Sequence, residues 1–133
     1  MQINERVNEF PYIAGKNSCS YTNFSKAVGC TRFRVNLSCM VQNRIATGKI
    51  IELNCVLIVS ETNGRPVDVY RQAKVFDENI DEKWKELSFL FTGFEAPQEY
   101  IITIAIERRN DTTIGTPSQA RLFIRRLSGI SEK

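Results

Sequence analysis

Histidine is absent from the 133 residues. That excludes Ser–His and Cys–His nucleophile schemes outright and removes the commonest metal ligand. Cysteine is sparse: Cys19, Cys30, Cys39 and Cys55, with no pair in CxxC spacing. A four-thiolate zinc site would lack its usual paired ligands. The four read either as buried thiols acting as small apolar groups or, for Cys19 and Cys30, as a disulfide in an oxidising compartment. The seven glycines are scattered at turns, so no Gly-rich loop is present to cradle phosphate. No apolar run approaches the roughly 18 residues of a spanning helix, and no membrane association is expected. Met1-Gln2-Ile3-Asn4-Glu5-Arg6 lacks a basic stretch leading into an apolar one, so we expect no secretory signal and synthesis in a cytoplasm. One-sided charge is missing too. A net charge of +3 does not argue for nucleic acid, and nothing calls for a cofactor.

What the chain does have is a two-residue rhythm. Residues 33–41 place Phe33, Val35, Leu37, Cys39 and Val41 on odd positions, with Arg34, Asn36 and Ser38 between them. Successive strand side chains point to opposite faces, so such a segment buries one face and wets the other. Residues 51–59 repeat the pattern, and Val56 and Ile58 add apolar groups to the second face, as in a covered central strand. Asn63-Gly64-Arg65-Pro66 marks a turn. The returning strand, 67–76, has Val67, Val69, Ala73 and Val75 on one side.

The charged run 77–85 fits a short helix, with Ile80, Trp84 and Leu87 at i, i+4 and i+7. Leu87, Phe89 and Phe91 then alternate as a strand that Gly93 to Pro97 breaks. Tyr100, Ile102, Ile104 and Ile106 share one face of another strand, and 109–113 is a polar loop. Residues 120–125 form the last strand. Tyr12 to Ala14 and Tyr21 to Phe24 are candidate edge strands. The expected organisation is an arm with edge strands over 1–30, a sandwich over 31–128 and a flexible tail over 129–133. The fold class is all-β, a two-sheet antiparallel β-sandwich.

The order of these elements, with Trp84-Lys85-Glu86-Leu87-Ser88-Phe89-Leu90-Phe91 as its most specific part, resembles the jelly-roll carbohydrate-binding modules of glycoside hydrolases. Similar domains occur in bacteriophage capsids and tails. The resemblance covers 31–128 as pattern and implies that Trp84 helps pack the core. Where such modules often read Ile-Asp-Asp, this chain has Phe123-Ile124-Arg125-Arg126, so a structural calcium site does not carry over.

Candidate chemistry is thin. Asp77, Glu78, Asp81 and Glu82 cluster in sequence but lack a partner set. They read as a solvated loop, and no catalytic residue is expected. For sugar binding, exposed rings stack on pyranose faces, and Tyr70, Phe94, Tyr100 and Phe123 are the candidates. The cations Arg108, Arg109, Arg121, Arg125 and Arg126 concentrate near the C-terminus. Arg121 and Arg125, with Phe10, Tyr12 and Ile13 of a docking arm, are the candidate interface. Two readings follow. One is a non-catalytic virion protein, a capsid decoration or a tail or fibre component, assembled in the host cytoplasm. Its partners are other virion proteins and further copies of itself, as in a trimer. The alternative is a secreted carbohydrate-binding module recognising a polysaccharide.

Overall fold

The computed structural model describes residues 2–4, 6–25, 30–42, 49–77, 82–96, 100–112 and 114–132. The strands are β1 (Gln2–Asn4), β2 (Asn8–Phe10), β3 (Ser18–Ser25), β4 (Cys30–Gln42), β5 (Ile50–Ser60), β6 (Pro66–Asp77), β7 (Lys85–Ala96), β8 (Ile101–Arg109) and β9 (Arg121–Glu132). They form two antiparallel sheets. In the first, β9 pairs with β1, β2 and β4, and β4 pairs with β7. The second has the order β3-β8-β5-β6. Most connections cross from one sheet to the other, and β5–β6 is a local hairpin.

The rhythm of β4 and β5 explains the core. Phe33, Val35, Leu37, Cys39 and Val41 of the first sheet meet Ile51, Leu53, Cys55, Leu57 and Val59 of the second, all buried. Phe89, Phe91, Ile102, Ile104, Ile106, Leu122 and Ile124 complete the layer. Each such side chain contributes about 1.5–3 kcal/mol by leaving water. Burial pushes the Cys39 thiol up to about 11, helped by Glu86, and Cys55 up to about 12, so both behave as apolar groups. At the β5–β6 turn Gly64 has φ 93°, Gly64 N–H donates to Glu61 O at 2.8 Å, and Arg65 N–H donates to the Asn63 side chain at 2.9 Å.

Several expectations need correction. Of the tail expected over 129–133, residues 129–132 are paired strand. β9 continues to Glu132, with Ile130 opposite Arg34 and Gln2 opposite Gly129. A bulge hides this continuation. The β4 register jumps between Asn36 and Ser38, and Arg126 takes φ 56°. The extra residue shifts the inward phase from Leu122 and Ile124 to Leu127. Gly93 does not break β7 either. It has φ 80°, a left-handed value that glycine adopts without penalty, and it lies beside the Cys30/Arg32 register shift. Leu87 is strand, so the helical spacing through it fails; 78–81 lie outside the described residues. Tyr12 to Ala14 is not a strand but enters a turn closed by Lys16 N–H to Ile13 O, 3.0 Å.

The arm itself is laid onto the sandwich. β1 and β2 pair with β9, and Phe10 is 3% exposed within the chain's own core. A buried cation fastens it. Arg108 continues the inward phase of Ile102, Ile104 and Ile106 and is 1% exposed. Its Nη1 donates to the carbonyls of Phe10 (3.0 Å) and Ala120 (2.8 Å), and its Nη2 to that of Ser118 (2.7 Å). Burial drags its pKa down to about 10, where it stays charged at neutral pH. Arg108→Ala strands these carbonyls in a dry site and is expected to cost about 3 kcal/mol, read from the shift of the urea midpoint. An unchanged midpoint would show that the clamp is dispensable.

Candidate binding face

The two outer faces differ in kind. On the first sheet, Arg32 and Arg34 lie 3.7 and 3.6 Å from Glu132. Arg121 forms a two-pronged pair with Glu9 (2.8 and 2.9 Å) that ties β9 to β2. Its guanidinium also lies 5.0 Å from the centre of the Phe123 ring, and that of Arg125 lies 3.9 Å from the Trp84 ring. Trp84 is half-buried and shares the outward phase of Glu86 and Ser88, so it does not pack the core as the resemblance implied. Ser38 Oγ donates to Glu86 at 2.7 Å beside it. The cations of this face are therefore largely committed, and Arg108 is absent from it.

The second sheet presents a different surface. Alternation turns the even residues of β5 outward and pairs them with odd residues of β6 and β8. Register places Val69, Ile58 and Thr103 in one row, Arg71, Val56 and Ala105 in the next, then Ala73, Asn54 and Glu107. Between these rows lies a depression of about 300 Å³. Val56, Ile58, Val69 and Ala105 give it an apolar lining, while Arg71, Glu107 and Cys19 supply polar groups. Asn54 Nδ2 donates to Glu107 at 3.2 Å, and Arg109 lies 3.8 Å from the same carboxylate. Thr112 Oγ1 donates to Glu52 at 2.8 Å. The carboxylates of this end are thus held by neighbours. The arrangement suits binding: an apolar patch takes up a flat apolar surface and the rim bonds polar groups.

Of the aromatic residues expected to bind sugar, the three whose side chains are described do not form one exposed platform. Tyr70 is on the inward phase of β6 and packs against the core. Its hydroxyl donates to Asp68 at 2.8 Å, and burial first, then Asp68, raise its pKa. Tyr100 also packs against the core. Phe123 stands on the other sheet, and the Phe94 side chain lies outside the described residues. Of the expected interface, Phe10 is corrected to core, Tyr12 is half-buried and Ile13 is exposed. The side chains of Asp77 and Cys30, and the acidic residues of 78–81, also lie outside the described residues. Sequence reasoning missed Val56, Ile58 and Glu107 as a site. The usable signal was that β5 carries apolar residues on both phases: of the outward pair, Val56 is buried and Ile58 stays half-buried beside the exposed Val69.

No family model matches the chain, and no curated protein matches it in sequence. Its shape does have solved counterparts. The enzymatically active domain of tailspike protein 4 from bacteriophage CBA120 superposes with TM-score 0.53 at 10% identity, over 95% of this chain and 15% of that one. The fold is a jelly-roll β-sandwich. A CBM4 carbohydrate-binding module (TM-score 0.44, 7% identity, 87% of this chain and 61% of that one) also aligns. So does infectious bursal disease virus Gt strain (0.41, 11%, 93% and 32%). At such identities the likeness concerns the fold alone, and this chain spans less than two-thirds of each of these three.

The Glu9–Arg121 pair gives this region a pH dependence. The hydrogen bond from Arg121, ahead of its charge, holds the Glu9 carboxyl below its ordinary 4.5. A lowered carboxylate pKa adds stability above the unfolded value, and that stability is lost as pH falls through the folded one. Amide exchange of residues 8–10 should therefore accelerate, beyond the intrinsic pH effect, as pH drops below about 4.5. Glu9→Gln should abolish that extra acceleration; a variant that kept it would assign the effect elsewhere.

Proposed function

We propose that the chain is a non-catalytic module of a virion, a capsid decoration or a tail or fibre component, that works by assembly through the outer face of its second sheet. Its assembly takes place in the host cytoplasm. The observation that supports this is an uncovered apolar stripe on a terminal strand. Val67, Val69 and Val75 of β6 are 51, 43 and 48% exposed, beside Val56 and Ile58. Exposed β-branched residues on a sheet edge invite pairing or aggregation unless a partner covers them. Carboxylates engaged by Asn54, Thr112 and Arg121, in a chain without histidine, favour binding over turnover. The test is quantitative mass spectrometry of purified virus particles made with the wild-type chain or with Ile58→Glu. The wild-type chain should appear in fixed copy number and the variant should fall at least about tenfold, as a charge buried in an interface requires. A wild-type chain missing from washed particles overturns the proposal.

A second reading rests on the depression itself. Arg71, Glu107 and Asn54 around an apolar lining offer donors and acceptors for a sugar's hydroxyls and an apolar bed for its ring face. This carbohydrate-binding reading makes the working surface the second sheet and not the four aromatics. On a glycan array, Arg71→Ala and Glu107→Gln should each weaken any binding about tenfold, and Tyr100→Phe should leave it unchanged. Silence of the wild-type chain across the array sinks this reading.

A further inference from the structure

β6 is the terminal strand of its sheet, twelve residues long and paired on one side with β5. Its opposite edge is the surface to explain. The sequence of that edge is nearly self-complementary. About Gln72, the order Val69-Tyr70-Arg71-Gln72-Ala73-Lys74-Val75 places a β-branched residue three positions away on either side.

We propose that β6 pairs antiparallel with β6 of a second copy, about a two-fold axis at Gln72, joining two four-stranded sheets into one of eight. Three observations support this occupant. The outward side chains needed for cross-strand packing, Val69 and Val75, are exposed and come directly opposite one another in this register. The register also keeps like charges from standing directly opposite, leaving the two Arg71 side chains as diagonal neighbours. An axis at Arg71 would set two guanidinium groups face to face, which is destabilising; the axis at Gln72 sets Arg71 against Ala73 instead. Charge is complementary as well: Asp68, whose oxygens accept from Val69 N–H and the Tyr70 hydroxyl and keep further lone pairs, lies one diagonal step from Lys74 of the other copy, within reach of a long side chain. Lys74 sits 5.6 Å from the centre of the Phe89 ring of its own chain, and an ammonium has three donors to share between that ring and a carboxylate. The Gln72 amide is already spent on its own chain, donating to the Leu90 carbonyl, which ties β6 to β7 of the other sheet at the axis.

A C2 contact of this kind is closed: it uses up both edges and leaves none for further growth. The inference deepens the assembly reading and rests on it for its purpose, but the experiment is separate. Light scattering on the full chain should give twice the 15.2 kDa of one copy. Val75→Lys, at an exposed position, should keep the fold and weaken the dimer about tenfold or more. Cross-linking then tests the register. In a Cys19→Ser, Cys30→Ser background, Val69→Cys mixed with Val75→Cys should oxidise to a disulfide-linked dimer, while either alone should not. A monomer at every concentration, a dimer indifferent to Val75→Lys, or cross-linking of Val69→Cys alone would each overturn the proposal. A monomer that is still built into particles would sink this inference and leave the assembly reading standing.

Discussion

A single guanidinium closes one end of this sandwich. Arg108 reaches from β8 to carbonyls on β2 and on the segment leading into β9. Phe10 is remote in sequence from Ser118 and Ala120, and one side chain gathers the carbonyls of all three. A buried charge without a carboxylate costs several kcal/mol unless hydrogen bonds replace its water. Here three carbonyl dipoles supply that replacement, and the same bonds satisfy oxygens that would otherwise be orphaned. Neighbouring contacts gather around the clamp. Asn110 Nδ2 donates to the Pro11 carbonyl, Ala120 N–H donates to Ser118 Oγ, and Ile50 exchanges backbone bonds with Thr116 and Ser118. The N-terminal segment thereby becomes part of the sheet and not an arm.

How far the fold was legible follows from where the two-residue period holds. In β4, β5, β7 and β8 the inward slots are filled almost throughout by apolar side chains, Cys39 and Cys55 among them and Arg108 the exception, so phase alone identified core and solvent. The period misleads where an extra residue resets it. Arg125 and Arg126 look like the end of an amphipathic strand, yet a bulge at Arg126 lets β9 run on with the opposite phase. Gly93 plays the corresponding part in β7. Short β1 and β2 offer too few residues for any period to register; they exist because β9 presents an edge to them.

The candidate site was less legible, for two physical reasons. The first is that phase does not say which face is inward when both are amphipathic. In β6 the valines, the obvious core candidates, face water. The seam is filled instead by Tyr70, Gln72, Lys74 and Phe76, half-buried side chains of which the two rings pack against the core and the Gln72 amide bonds the Leu90 carbonyl. The second is that a run of arginines carries no label for its partners. Arg108 belonged by phase with Ile102, Ile104 and Ile106, and that parity was the available sign that it points inward. Arg121 looked free because Glu9, its partner, is remote in sequence.

These commitments decide which face is available for work. A partner arriving on the first sheet must displace Glu132 from Arg32 and Arg34, Glu9 from Arg121, or lift Arg125 from Trp84, so each new contact is offset by one lost. On the second sheet the central rows meet no such cost. Ile58 and the exposed Val69 gain roughly 25 cal/mol for each Å² that a partner takes from water. The polar end, where Asn54, Thr112 and Arg109 already orient Glu107 and Glu52, adds direction with little reorganisation. In the proposed binding, affinity would reside in the apolar rows and selectivity in the polar ones. A ligand or partner that touched only one of the two would be bound without being chosen, or chosen without being held.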